Sequence, residues 1–220
     1  MKAKHFALGV IGVALALSLV IQAFAIENGV RASAHKASAP SRRLLIVGDS
    51  ISVGFYASLS AKSYASLVAA GLHATLMLRA VSGIGAPKML TNLETSAPPP
   101  SQDFIIVELG TNDGWGDRSQ FVQAYSTLLK LLRRGSPHAR LDCAGPWRPH
   151  NLAADADALT IRQDCAAAGG VFVDLQKIYA NSAYRGPLGR PTQYGRGDDF
   201  HPNDKGHALI ARLMLQALLG

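Results

Sequence analysis

Leu44-Leu45-Ile46-Val47-Gly48-Asp49-Ser50 decides how the chain is read. Four consecutive apolar residues read as a buried strand. The chain leaves that strand through a glycine, an acid and a hydroxyl, and Ile51-Ser52-Val53-Gly54 then opens a helix. Open α/β sheets build their sites at the carboxyl ends of their strands. Ser50 is therefore a candidate nucleophile. The plainer reading is a turn in which Asp49 or Ser50 caps the next helix, so the rest of the chain must supply partners for the hydroxyl.

Outward from that stretch, strands and helices alternate. Strands are expected over 43–47, 73–80, 104–109, 139–144 and 171–175. Helical material is expected over 51–71, broken near Ser60–Lys62, and again over 87–95, 152–168 and 203–219. The clearest helix is 119–134, where Phe121, Tyr125, Leu128, Leu129 and Leu132 recur at spacings of three and four. Arg133 and Arg134 suit its carboxyl end, and Gly135 stops it. Residues 181–200 form a long loop rich in Gly, Pro and Tyr. Strands alternating with helices specify a parallel sheet with helices on both faces and right-handed connections. Every carboxyl end then faces one rim.

The first residues read as an export signal. Lys2 and Lys4 precede an uncharged apolar stretch, and Ala23-Phe24-Ala25 supplies a small-x-small cleavage pattern. The expected organisation is a signal peptide over 1–25, a flexible Ala/Ser-rich spacer over 26–41, and a catalytic domain over 42–220. An uncleaved membrane anchor is the rival, although the apolar stretch is short for a span of about 20 residues. The expected location is secreted or periplasmic. Without residues 1–25, 20 Lys and Arg face 15 Asp and Glu, a net charge of +5. This mild excess suits peripheral contact with an anionic cell surface. The basic residues are scattered, which argues against nucleic acid. Cys143 and Cys165 are the two cysteines; an exported chain pairs such residues or buries them as free thiols, and both readings stand.

A serine nucleophile needs a base, and the base needs an orienting acid. Asp198-Asp199-Phe200-His201-Pro202-Asn203 offers both. His201 would take the proton from Ser50, and Asp198, three residues earlier, would hold the imidazole. The alternative is that Asp199 or Asn203 caps the last helix and His201 is merely exposed. An acyl-transfer site also needs donors for the oxyanion. Gly83 offers a backbone N–H unshielded by a side chain, and Asn112 offers a side-chain amide. Each could instead serve a turn or cap.

Gly-Asp-Ser, a loop glycine, Gly-x-Asn-Asp and Asp-x-x-His occur in that order, each at a strand end or just before the last helix. The arrangement resembles the SGNH hydrolases, also called GDSL esterases/lipases, from about Arg42 to the chain end. The resemblance implies a flavodoxin-like three-layer α/β/α sandwich with a five-stranded parallel sheet, and no metal or cofactor. It also implies a triad of Ser50, Asp198 and His201, with an oxyanion hole from the N–H groups of Ser50 and Gly83 and the Asn112 amide. Gly85 competes with Gly83, and Asp199 with Asp198; register and spacing favour Gly83 and Asp198.

The chain has no Gly-x-Ser-x-Gly elbow, no His-Glu-x-x-His and no P-loop. His207 reads as a surface or packing residue. Trp115, Trp147, Tyr184 and Tyr194 fall near the proposed rim, where they would stack on a sugar, cover an acyl group or simply pack. Arg148 and Arg185 are candidates for an anionic substrate, and Asp113 for shaping the pocket beside Asn112. The expected activity is hydrolysis of short-acyl or O-acetyl carbohydrate esters through an acyl-enzyme, on a small-molecule or polysaccharide substrate. A lipase or lysophospholipase is the near alternative, and a non-catalytic carbohydrate-binding module the distant one.

Overall fold

The computed structural model describes residues 42–220. The expected signal peptide and spacer lie outside the described residues. Strand β1 (Arg42–Gly48) pairs in parallel with β2 (Ala74–Ala80) on one side and β3 (Phe104–Glu108) on the other. Strands β4 (Arg140–Ala144) and β5 (Val171–Val173) extend the sheet beyond β3, giving the order β2-β1-β3-β4-β5 with every pair parallel. This is the doubly wound order in which the chain reverses direction across the sheet between β1 and β3, and such switch points open a crevice at the strands' carboxyl ends.

Period-two alternation sends the strand side chains to two cores. Leu44, Ile46, Phe104 and Ile106 face α2 (Tyr64–Leu72) and α7 (Asp204–Leu219). Leu45, Val47, Ile105 and Val107 face α3 (Ala86–Thr95) and α4 (Arg118–Gly135), with Ile161 and Cys165 of α5 (Leu152–Ala167). The apolar stripe anticipated over 119–134 is buried at Phe121, Tyr125, Leu128, Leu129 and Leu132. Cys143 and Cys165 are joined as a disulfide, with Cα atoms 6.0 Å apart, and it ties β4 to α5.

Three local expectations change. The helical material expected over 51–71 does break around Ser60–Lys62, but its first part is much shorter than expected. Helix α1 covers only Ser50–Val53 and ends at Gly54, whose φ of 93° is left-handed; a single 3₁₀ turn, Ser60–Lys62, precedes α2. His73 does not begin β2 but caps α2 at φ 50°. The loop over 181–200 is more ordered than its composition suggests. It carries a 3₁₀ turn at Ser182–Tyr184 and a two-residue hairpin, β6 (Pro191–Thr192) with β7 (Gly195–Arg196), after a short helix α6 (Gln176–Tyr179).

Candidate active site

Ser50 is the first residue of α1, so leaving β1 brings its hydroxyl to the carboxyl rim at the switch point. Its Oγ lies 3.0 Å from His201 Nε2, across 151 residues of chain. His201 Nδ1 lies 2.7 Å from Asp198 Oδ2. The other oxygen of Asp198 accepts the backbone N–H groups of Phe200 and His201 at 3.0 and 2.8 Å. One tight turn thus fixes both the carboxylate and the ring it faces, which is why a spacing of three works. Asp199 does not face the ring; its carbonyl accepts Arg185 Nη1 at 2.7 Å. Geometry therefore resolves the two acids in favour of Asp198.

The loop bearing His201 is pinned from several sides. Trp147 is buried and donates from Nε1 to the Phe200 carbonyl at 2.7 Å, while its backbone N–H reaches Thr111 Oγ1 at 3.0 Å. Asn203 caps α7 by accepting Lys205 N–H and Gly206 N–H, and its amide donates to the carbonyls of Ala183 and Arg185. Gly206 allows this close approach, since a Cβ there would overlap the Tyr184 carbonyl. His207 is wholly buried. Its Nε2 donates to the Phe55 carbonyl at 3.0 Å, and its Nδ1 accepts Tyr64 N–H at 3.3 Å. Burial pushes the His207 pKa down to about 4, so the ring is neutral and structural.

The donor side forms at the ends of β1, β2 and β3. Gly83 follows β2 with φ 75°, a conformation that favours glycine, and a Cβ there would meet nothing within 4 Å. Among the described residues, neither Ser50 N–H nor Gly83 N–H has a protein acceptor. Gly85 is spoken for: it caps α3 and packs so tightly on Asp113 that a Cβ would overlap Oδ1. Asn112 Nδ2 donates to Asp49 Oδ2 at 3.0 Å and to the Ile84 carbonyl at 3.1 Å. Asp113 accepts Ala86 N–H on one oxygen and Gly110 N–H on the other, so it clips the loop after β2 to the loop after β3. Burial raises its pKa.

Around His201 stands a group of rings. Phe55, Tyr56 and Phe200 lie with centroids 5.6, 5.1 and 5.1 Å from the imidazole. Tyr194, at the tip of the β6–β7 hairpin, packs on Phe55 at 4.5 Å and donates from its hydroxyl to the Val53 carbonyl, yet is 45% exposed. Of the aromatics singled out in the sequence, Tyr194 is the one shown on the rim. Trp147 is a buried anchor, and Tyr184 packs on the α2–α7 core. Arg148 and Arg185 donate to backbone carbonyls, those of Thr111 and of Tyr179 and Asp199. Phe55 and Tyr56 escaped the sequence reading because a helix was expected there. Glu108 escaped it as one acid at the end of an apolar strand. The described residues contain no cluster suited to a metal.

This arrangement puts an imidazole within hydrogen-bond reach of a hydroxyl, with a carboxylate on its other nitrogen. Comparison with known proteins identifies the family and the fold. The family model of the GDSL-like lipase/acylhydrolases matches residues 46–209. The curated relative cellulase/esterase CelE of Acetivibrio thermocellus is 26% identical over a 214-residue alignment that covers 77% of this chain. The chain spans only 24% of the length of that relative. A family two carbohydrate esterase from Clostridium thermocellum, solved with cellohexaose, aligns over 81% of this chain and 65% of its own, at 24% identity and TM-score 0.59. A phospholipase A1 from Streptomyces albidoflavus aligns over 80% of this chain and 99% of its own, at 16% identity and TM-score 0.62. These solved structures share the fold.

Proposed function

The chain belongs to the GDSL-like lipase/acylhydrolase family of ester hydrolases, and from that premise we propose that it is an exported serine esterase acting on short-acyl or O-acetyl carbohydrate esters. The observation that carries the reading is the 3.0 Å approach of Ser50 Oγ to His201 Nε2. Ser50 Oγ attacks the acyl carbonyl while His201 Nε2 removes its proton, and Asp198 stabilises the imidazolium so formed. The oxyanion collects hydrogen bonds from Ser50 N–H, Gly83 N–H and the Asn112 amide. Collapse expels the alcohol, which takes the proton from His201, and leaves Ser50 acylated. Water then enters, gives a proton to His201 and attacks the acyl carbonyl; collapse breaks the acyl–Oγ bond, His201 returns the proton to Ser50 Oγ, and the acid leaves.

Both hydrogens of the Asn112 amide are engaged at rest, so one must move to the oxyanion. The bond to the neutral Ile84 carbonyl is the weaker and yields; the bond to the Asp49 carboxylate is charge-assisted and holds. The carbohydrate side of the proposal is supported by the exposed Tyr194 on a ring cluster beside His201, since flat rings suit a sugar face. It is also supported by the cellohexaose bound to the Clostridium esterase of the same fold. Export is supported by the apolar N-terminal sequence and by the Cys143–Cys165 disulfide, which suits an oxidising compartment. No helix among the described residues is long and apolar enough to cross a membrane.

The test is a substrate panel of p-nitrophenyl acetate, p-nitrophenyl octanoate, acetylated xylo- and manno-oligosaccharides, and a lysophospholipid. Highest kcat/KM on acetyl esters and acetylated oligosaccharides supports the proposal. Preference for octanoate or the lysophospholipid replaces it with a lipase reading, and glycan binding without hydrolysis replaces it with a binding module.

A further inference from the structure

Beneath Ser50 lies a polar cluster of which the hydrolytic steps above use only Asp49. Asp49, Glu108, Ser52 and Tyr64 are all wholly buried. Glu108 Oε2 accepts Ser52 Oγ–H at 2.8 Å and Asp49 N–H at 3.3 Å. Ser52 Oγ is in turn 2.5 Å from the Tyr64 hydroxyl, which donates to it. Gly48 makes this possible, because a Cβ there would overlap Ser52 Oγ. Asp49 Oδ1 accepts Ile51 N–H at 2.9 Å, and Oδ2 accepts Asn112 Nδ2.

We propose that Glu108 is a positioning residue for ester hydrolysis: through Asp49 it fixes the side-chain amide of Asn112 on the rim. This rests on the esterase reading and adds a member to its machinery. Two adjacent carboxyl groups in a dry interior cannot both ionise cheaply. The groups facing them are Ser52, Thr111, Tyr64 and Tyr125, all neutral, and the carboxyl of Asp113; among the described residues no Lys or Arg side chain neutralises the pair. Burial pushes the Asp49 pKa up to about 7, against the two N–H bonds it receives, which favour its anionic form. Glu108 Oε1 has no hydrogen-bond partner, so an ionised Glu108 would leave an uncompensated oxygen in the core, which favours the protonated form. Burial first, and then the Asp49 charge, push the Glu108 pKa well up. Glu108 thus keeps the proton of the pair, and when Asp49 ionises its charge retains one Asn112 hydrogen while the other turns from the Ile84 carbonyl to the oxyanion. Were both acids neutral, that grip would weaken; were both charged, they would repel.

The experiment is a double-mutant cycle on the full chain with p-nitrophenyl acetate. Glu108→Ala should lower kcat about tenfold or more with KM within about twofold, and Glu108→Gln, which is neutral and can donate to Asp49, should recover most of that loss. In an Asn112→Ala background, Glu108→Ala should cost less than about twofold, because the residue acts through that amide. Equal losses in both backgrounds, or a Gln variant as impaired as Ala, would overturn the proposal. If Glu108→Ala does not fold, Glu108→Met, of similar volume, replaces it in the cycle. Failure of the esterase reading is separate: it would show as an inactive wild type, before any Glu108 variant is compared.

Discussion

Two regions meet at Ser50 and differ in almost everything but polarity. Above it, Asp198 and His201 sit on a loop at the rim, their side chains 35% and 15% exposed, and hold each other through one local turn. Below it, Asp49 and Glu108 are sealed in the core and are held by residues from β1, α1, α2 and β3. Groups that must meet substrate and exchange protons need solvent access and a local scaffold. Groups that set the position of others gain from burial, where a low dielectric strengthens each hydrogen bond and makes an unpaired charge expensive.

The sharpest way to break this contrast is on the rim itself. Ser50→Ala should reduce kcat by about a thousandfold or more while leaving the unfolding midpoint nearly unchanged, as read by steady-state kinetics and thermal melts. Residual turnover near wild type would move the nucleophile elsewhere. Asn112→Ala, at the border between the two regions, should cost about a hundredfold to a thousandfold in kcat, the usual loss for one oxyanion donor. An effect confined to KM would instead make it a binding residue.

Away from the site, reducing or replacing both cysteines should destabilise the domain by about 3 kcal/mol, the chain-entropy value for a loop of this size, measured by urea unfolding. The buried side also predicts a pH dependence. His207 titrates near its ordinary 6.5 when unfolded and near 4 when folded, so the unfolded chain binds more protons between these values. The stability from neutral His207 is complete above about pH 6.5 and is lost as pH falls through about 4, a change of about 3 kcal/mol. Comparing urea unfolding of wild type and His207→Gln across that window isolates it, and parallel curves would contradict it. Last and smallest, Tyr194→Ala should raise KM for acetylated oligosaccharides about threefold to tenfold while leaving p-nitrophenyl acetate unaffected, the size expected for one stacked ring.

The same contrast explains what the sequence made legible. The strands announced themselves as apolar runs, Ser50, Gly83 and Asn112 as short motifs at their ends, and His201 as one just before the last helix, because turns and rim residues are specified by their neighbours in the chain. Asp198 was legible for the same reason: its partner is three residues away. Glu108 was not, since its partners lie 56 and 59 residues earlier and the strand around it is otherwise apolar. Phe55 and Tyr56 were hidden by a helical pattern that Gly54 breaks with a left-handed turn. The β6–β7 hairpin carries too few residues to show a period.

We propose that Ser50 and His201 work as one unit at the rim. Reaction with a fluorophosphonate followed by mass spectrometry of the peptides tests it most directly. A single adduct on Ser50 is expected, formed at a rate that collapses in His201→Ala. No adduct, an adduct on another residue, or labelling of Ser50 that is indifferent to His201 would contradict it.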